Sequence, residues 1–480
     1  MSNNSQIGEF FKNQTIFLTE GTDLIGKLLV EKLLRTADLK KIYILMRAKR
    51  EKKFAERFDD FFHNACFKNI NRNDFESKVS VIGGDCKKLG LGLNSKDVDI
   101  LKKETTCIIH AAANVNLRQT IKEASYNVVS TNEMIKLAER MENLKIFVYV
   151  STSFTNCFNS HIREEIYQTP IKAEAFLDLV DSCNEDEVEK TLLPYLNKWP
   201  NNYAFSKCLS EALIKDSGMD IPTTIVRPSS VTNAMKHPVP GWVDNYHSIV
   251  GIVAGGFLGI LQNLYAKKEK KVHFVPADFV CNCILAVAWD TANSKNLTVI
   301  NCVGEPIVYE RLVSKIDSLY WKFPSVKCLW FPKMTIIQNK CWYNVKGYWM
   351  LMLAYCIDLI LFCSKQQVGA SKMRKQIAEQ VSVLSYFTVR EWNFDDDRFM
   401  NLWKKMGDED KKIFPFYVNT MDWNKYLSNC ILGIRLLFKD PISTLPHAKA
   451  KFKIMSSFYY TIVALFYYFL YIMFYKFLTK

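Results

Sequence analysis

The sequence predicts an α/β protein: a doubly wound parallel sheet, then a helical C-terminal region and a closing transmembrane helix. Three observations carry this expectation. From Thr15 onward, short apolar runs alternate with longer amphipathic stretches, the pattern of a parallel sheet covered by helices on both faces. Near residue 341 the composition changes, and GYWMLMLAYCIDLILFC (347–363) is almost wholly apolar. Finally, FYYTIVALFYYFLYIMFY (458–475) carries no charge over a length that can approach a bilayer span.

The elements follow in order. TIFL (15–18) reads as the first strand, and Ile25 to Arg35 as a helix with Leu28, Leu29 and Leu33 on one side. KIYILM (41–46), SVIGGD (80–85), CIIHAAA (107–113) and KIFVYVST (145–152) read as strands two to five, and TTIVRP (223–228) as the sixth. In such a sheet, ligands bind at the carboxyl ends of the strands. After the sixth strand the pattern loosens into the Pro-, Gly- and Trp-rich HPVPGWVDN (237–245), within a smaller substrate-facing region expected at 228–340. The expected divisions are 1–340 for the cofactor- and substrate-binding domain, 341–445 for a helical domain, and 456–476 for a membrane anchor. Asp358 interrupts the run 347–363, which leaves spanning, surface-lying and buried helices all open.

Charge and cysteines narrow the class. The formal net charge of +14 points to an anionic partner, such as an acidic membrane face or a phosphorylated small molecule. The basic residues form no repeat and accompany no RNA-binding or zinc-finger spacing, so neither nucleic acid nor a metal is expected. The 14 cysteines include no C-x-x-C pair, and the N-terminus is polar; reduced thiols on the cytosolic side fit both facts. Lys449, Lys451 and Lys453 precede the tail, against Lys476 and Lys480 after it, which places the main body in the cytosol.

Tyr203 and Lys207 are the candidate catalytic pair. Four residues apart on a helix, they share one face, and no other tyrosine here has lysine at that spacing. An ammonium near a phenol is expected to lower its pKa and ready it to protonate a carbonyl oxygen. The end of the fifth strand, Ser151-Thr152-Ser153, faces the same site; Thr152 is the first choice to hold the substrate oxygen, with Ser151 beside it. A cofactor pyrophosphate is expected at the turn after the first strand, around Thr19, Gly21, Thr22 and Gly26. Arg47, followed by Lys49 and Arg50, ends the second strand where an NAD site carries an acid, so NADPH is the expected cofactor. Asp85 and Ala111 complete the expected cofactor contacts.

These motifs resemble those of the animal alcohol-forming fatty acyl-CoA reductases, within the extended short-chain dehydrogenases/reductases of Rossmann type. WPNNYAFSK (199–207), VSTSFTN (150–156) and VRPSSVTNAMKHPVPGWVDN (226–245) are similar to family segments, as are YFTVREWNFDDD (386–397) and MDWNKYLSNCILGIR (421–435). The resemblance implies two successive NADPH-dependent reductions of a long-chain acyl-CoA to a fatty alcohol, with release of CoA. Tyr203 would be the proton donor, Lys207 would assist and bind ribose, and Thr152 would orient the carbonyl. It also implies a lipid-bilayer partner, in the endoplasmic reticulum or the peroxisomal membrane, and leaves the oligomeric state open. Two departures stand out. Glu20 and Asp23 replace glycines of the family's loop, and YHSIVG (246–251) replaces its Asn-Gly-Pro-Thr-Gly stretch. A catalytically silent homologue that binds acyl-CoA or a partner protein is therefore the alternative expectation.

Overall fold

Five consecutive buried residues, mostly β-branched or aromatic, make Thr15–Thr19 a central strand, β1. The computed structural model describes residues 5–47, 54–246, 248–294, 296–363, 369–417 and 421–478. Four further strands are Lys41–Met46 (β2), Val79–Gly83 (β3), Cys107–His110 (β4) and Ile146–Val150 (β5). With Thr223–Pro228 and Thr298–Cys302 they form one seven-stranded sheet. Its order is Thr298–Cys302, Thr223–Pro228, β5, β4, β1, β2, β3, and the pairings are parallel. The expected doubly wound sheet is therefore present, and the chain changes winding direction between β1 and β4, where a ligand crevice belongs.

Alternate strand residues serve opposite faces. Phe17, Ile108, Phe147, Tyr149 and Ile225 join one core with Val128 and Phe205. Those last two come from helices Ile121–Ala138 and Asn202–Asp216, which pack against each other. Helices Leu24–Thr36 and Ala277–Ser294 form the second packed pair.

The chain divides into two compact units whose segments interleave. The first comprises 1–242, 273–306 and 391–421, and contains the whole sheet; the second comprises 243–272, 307–390 and 422–480. In the second, helices Lys340–Cys363 and Ala370–Thr388 pack together. Asp358 is buried there, and its carboxylate accepts from the backbone N–H groups of Gly369 and Ser371, both at 3.0 Å. The charge that interrupts the apolar run thus satisfies the first turn of the next helix. Helix Leu445–Leu478 is anchored at its start, where Lys451 Nζ donates to the carbonyls of Val326 (2.9 Å) and Cys328 (2.8 Å).

The transmembrane helix expected at 456–476 is not carried by the structure. Among the described residues, no helix is long and apolar enough to cross a membrane. The segment is helical, but Tyr459, Tyr460, Tyr468, Tyr471 and Tyr475 bring phenols that favour the water–lipid boundary over hydrocarbon.

Candidate active site

The crevice begins where β1 meets β4. Thr19 Oγ1 accepts from the N–H groups of Ala111 and Ala112, both at 3.0 Å, and lies 3.0 Å from His110 Nδ1. Having accepted two N–H groups, the hydroxyl gives its proton to Nδ1. His110 is then a neutral imidazole with its proton on Nε2, 3.4 Å from Ser130 Oγ. Burial, aided by the Lys207 charge, pulls His110 down to about 3, in agreement with a neutral ring. Thr19 and the Ala111 N–H therefore pin the two strand ends together, rather than standing free for a cofactor.

The turn that follows is built for close packing. A Cβ on Gly26 would lie 2.2 Å from the Glu20 carbonyl oxygen, and one on Gly21 would lie 2.5 Å from Ile44 Cγ2. Glycine at both places lets the turn press against β2 and against the start of helix Leu24–Thr36. Asp23 is the N-cap of that helix but makes no side-chain cap bond to it. The first-turn N–H groups are left uncapped by that side chain, as a pyrophosphate would require. Thr22 is half-buried in the turn.

Glu20 sits in the left-handed region at φ 54°, a conformation that favours glycine. Its side chain is half-buried, while Asp23 is exposed. Burial raises the Glu20 carboxyl above its ordinary value, with Asp23 and Asp85 adding to the rise and Arg47 opposing it. The backbone scaffold fits a dinucleotide; the two carboxylates work against its phosphates. Arg47 is exposed at the end of β2, and Arg57 donates to its carbonyl oxygen, bringing a second guanidinium that sequence spacing did not reveal. Lys49 and Arg50 lie outside the described residues. Asp85 holds its own turn, with Oδ1 accepting from Lys87 N at 3.1 Å.

Tyr203 and Lys207 lie on helix Asn202–Asp216, between β5 and Thr223–Pro228 as their sequence order requires. Asn201 caps the helix by accepting from Ala204 N at 2.9 Å. Lys207 is buried, donates to the Val150 carbonyl at 2.8 Å, and stands 4.5 Å over the Tyr149 ring. Burial lowers it to about 7, with Glu211 pulling the other way. The expected lowering of the Tyr203 pKa is corrected: burial pushes the phenol up, not down. Lys207 Nζ is engaged at the end of β5, so Tyr203 is a neutral phenol that keeps its proton until an acceptor arrives.

The three hydroxyls after β5 have separate fates. Ser151 Oγ donates to Glu211 Oε1 at 2.5 Å, which removes it from the role expected of it at the substrate. Thr152 Oγ1 accepts from Phe154 N at 3.3 Å, so its own proton remains available to a carbonyl oxygen. Ser153 Oγ is buried with no partner among the described residues.

Sequence spacing missed the groups beneath this cluster. Glu211 and Arg227 form a fully buried pair, with Arg227 Nε 2.9 Å from Glu211 Oε1 and Nη2 2.5 Å from Oε2. Arg227 also donates to the carbonyls of Arg163 (2.9 Å) and Glu165 (2.7 Å). Asn127 donates from Nδ2 to Ser206 Oγ at 2.9 Å and accepts from Asn114 N at 2.7 Å. The available signal was an arginine inside an otherwise apolar strand, with a glutamate one turn beyond Lys207.

A later segment also reaches this unit. Asn393–Phe394 pairs in parallel with His161–Ile162. Trp392 Nε1 donates to the Cys157 carbonyl at 2.8 Å, and its ring meets Phe154 edge-on at 5.5 Å. Part of the motif 386–397 thus buttresses the loop that carries Thr152.

A glycine turn after β1, an uncapped helix start and a Tyr-x-x-x-Lys helix after β5 define an extended short-chain dehydrogenase/reductase. Residues 18–284 match the family described as male sterility protein in its NAD-binding form, and residues 349–439 match its Sterile domain. The chain is 31% identical to fatty acyl-CoA reductase wat of Drosophila melanogaster, over 94% of this chain and 89% of that one. It is 27% identical to fatty acyl-CoA reductase 2 of Bos taurus, over 95% and 91%. Among solved structures, the terminal R domain from the myxalamid PKS-NRPS biosynthetic pathway superposes with a TM-score of 0.62 at 18% identity, covering 88% of this chain and 90% of that chain. The chain belongs to the fatty acyl-CoA reductase family.

Proposed function

We propose that this protein reduces long-chain acyl-CoA to fatty alcohol with NADPH, releasing CoA, while attached to a membrane. The observation that carries the reading is Tyr203 one helical turn before a buried Lys207 that is held at the end of β5, at the carboxyl end of the sheet. When bound, the dinucleotide supplies a hydride to the carbonyl carbon in each of two reductions. In the first, Tyr203 protonates the thioester oxygen, and the resulting hemithioacetal loses CoA thiol to leave an aldehyde. In the second, the same phenol protonates the aldehyde oxygen to give the alcohol. Thr152 holds the carbonyl by its free hydroxyl proton, and Lys207 steadies the phenolate and contacts the ribose. Arg47, with Arg57 behind it, favours NADPH over NADH by pairing with the extra phosphate. Gly21, Thr22 and Gly26 would line the pyrophosphate turn, and Asp85 would border the adenine.

The cytosolic face of the endoplasmic reticulum suits the basic flank of the tail, with the peroxisomal membrane as the alternative. A second reading, a homologue that holds acyl-CoA at a membrane without reducing it, is favoured by Glu20 in the cofactor turn. Purified protein assayed for NADPH oxidation and fatty alcohol, beside the Glu20→Gly/Asp23→Gly double variant, separates the two. Turnover in the parent supports the reductase; no NADPH binding in the parent, restored in the double variant, supports the silent homologue.

A further inference from the structure

Helix Lys340–Cys363 in the second unit carries a row of exposed apolar side chains among its described residues. Met350, Ala354 and Asp358 are buried on its inner side. On the opposite side Trp342, Val345, Trp349, Met352, Tyr355 and Leu359 recur at three- and four-residue spacing and are exposed. Tyr348 and Phe362 widen the stripe and are more than 70% exposed, at 73% and 71%. From 342 to 362 the stripe runs about 30 Å, far more apolar length than a solvated helix normally shows.

The chemistry of this face selects its occupant. Its rings are Trp and Tyr, the residues that settle at the water–lipid boundary. Lysines stand beside them: Lys346 Nζ is 5.7 Å from the Trp342 ring centre, and Lys375 Nζ is 5.4 Å from that of Tyr355. The helix has one acidic residue, Asp358, and its carboxylate is turned inward to the N–H groups of Gly369 and Ser371. An apolar, aromatic face with a basic edge, on a helix whose own acid is turned inward, complements an anionic bilayer surface; exposed Glu379, one turn beyond Lys375 on the next helix, offsets part of that edge. Ahead of the helix, a buried ring packs against the start of the C-terminal helix. Phe331, just ahead of this helix in sequence, has ring centres 5.1 Å from Phe452 and 5.0 Å from Tyr459.

We propose that helix Lys340–Cys363 lies in the plane of an anionic membrane surface, with the stripe Trp342–Phe362 embedded among the headgroups. This goes beyond the reductase reading and does not depend on turnover. It gives the body a second attachment besides the tail, which holds it flat against the layer that would receive an apolar product.

The protein carries its own probes. Cys341, Cys356 and Cys363 are exposed and all lie on this helix, whereas the other cysteines are buried or half-buried. The full chain is labelled with a charged maleimide in the presence of vesicles of phosphatidylcholine alone, or with 30 mol% phosphatidylserine added (about the anionic content such tests need), and labelled sites are located by peptide mass. Anionic vesicles are expected to slow labelling of Cys356 and Cys363 at least fivefold, and neutral vesicles much less. Trp349→Ser/Met352→Ser should lose that protection while the tail still binds vesicles, and Lys346→Glu should weaken it. Unchanged labelling with anionic vesicles to which the chain co-sediments overturns the proposal and leaves the tail as the sole attachment. Protection without lipid at rising protein concentration overturns it in favour of self-association.

Discussion

Replacing Glu20 with glycine removes two penalties at once, and they are separable by assay. The first is conformational: a side chain at φ 54° costs about 1–2 kcal/mol relative to glycine. Glycine gives back roughly 1 kcal/mol through the freer unfolded chain, so net stability changes little. The second is electrostatic. A carboxylate and a phosphate charge about 5 Å apart interact by about 3 kcal/mol at an effective dielectric near 20. Solvent screens the exposed Asp23, and the half-buried Glu20 can turn away from the phosphate, so about half of that figure is taken for each. Glu20→Gly should therefore lower the Kd for NADPH about tenfold, and the double variant with Asp23→Gly about a hundredfold. Protein-bound NADPH fluorescence gives Kd, and thermal melting gives the stability control. A double variant whose Kd lies within twofold of the parent refutes the argument that these carboxylates oppose the cofactor.

Four further outcomes follow from the same geometry. Tyr203→Phe should abolish alcohol formation while leaving NADPH affinity within about twofold, as read by the same titration. Gly26→Ala drives a Cβ to 2.2 Å from a backbone oxygen, so it should cost about 1–3 kcal/mol and most cofactor binding, by melting and titration. Arg227→Met leaves Glu211 buried and unpaired and should destabilise the chain by about 3–5 kcal/mol in denaturant unfolding. Lys207 is lowered from an ordinary 10.5 to about 7, so between those values the unfolded chain binds a proton that the folded chain lacks. Stability should rise with pH across that window by up to about 1.4 kcal/mol per pH unit from this group. Comparing parent with Lys207→Met at pH 7 and 9 isolates that contribution, and parallel pH slopes would contradict it.

What the sequence made legible follows from how local the information was. Six strands of the sheet are short, mostly apolar runs, so their type could be read directly; the seventh, Thr298–Cys302, lies beyond the point where the pattern loosens and was not read. Gly21 and Gly26 were legible as a close-packed turn because glycine has no other common reason for that spacing after a strand. Spacing on one helix also placed Tyr203 beside Lys207, but not what Lys207 holds. Its donation to Val150 depends on where another strand ends, which periodicity does not encode. Ser151 stood second to Thr152 in the sequence, but that its hydroxyl donates to Glu211, sixty residues on, has no local sign. Likewise, the return of residues 391–421 to the first unit rests on contacts such as Trp392 to Cys157. Those contacts link positions more than two hundred residues apart and leave no local pattern.

The central claim is that this site, neutral phenol and crowded cofactor turn together, still reduces acyl-CoA. The most direct measurement follows NADPH, free CoA and fatty alcohol together, with the purified full chain and a long-chain acyl-CoA. The account predicts two NADPH consumed for each CoA released and each alcohol formed, faster in the Glu20→Gly/Asp23→Gly variant at limiting NADPH. No NADPH consumption by either protein, with the fold intact by melting, would contradict it.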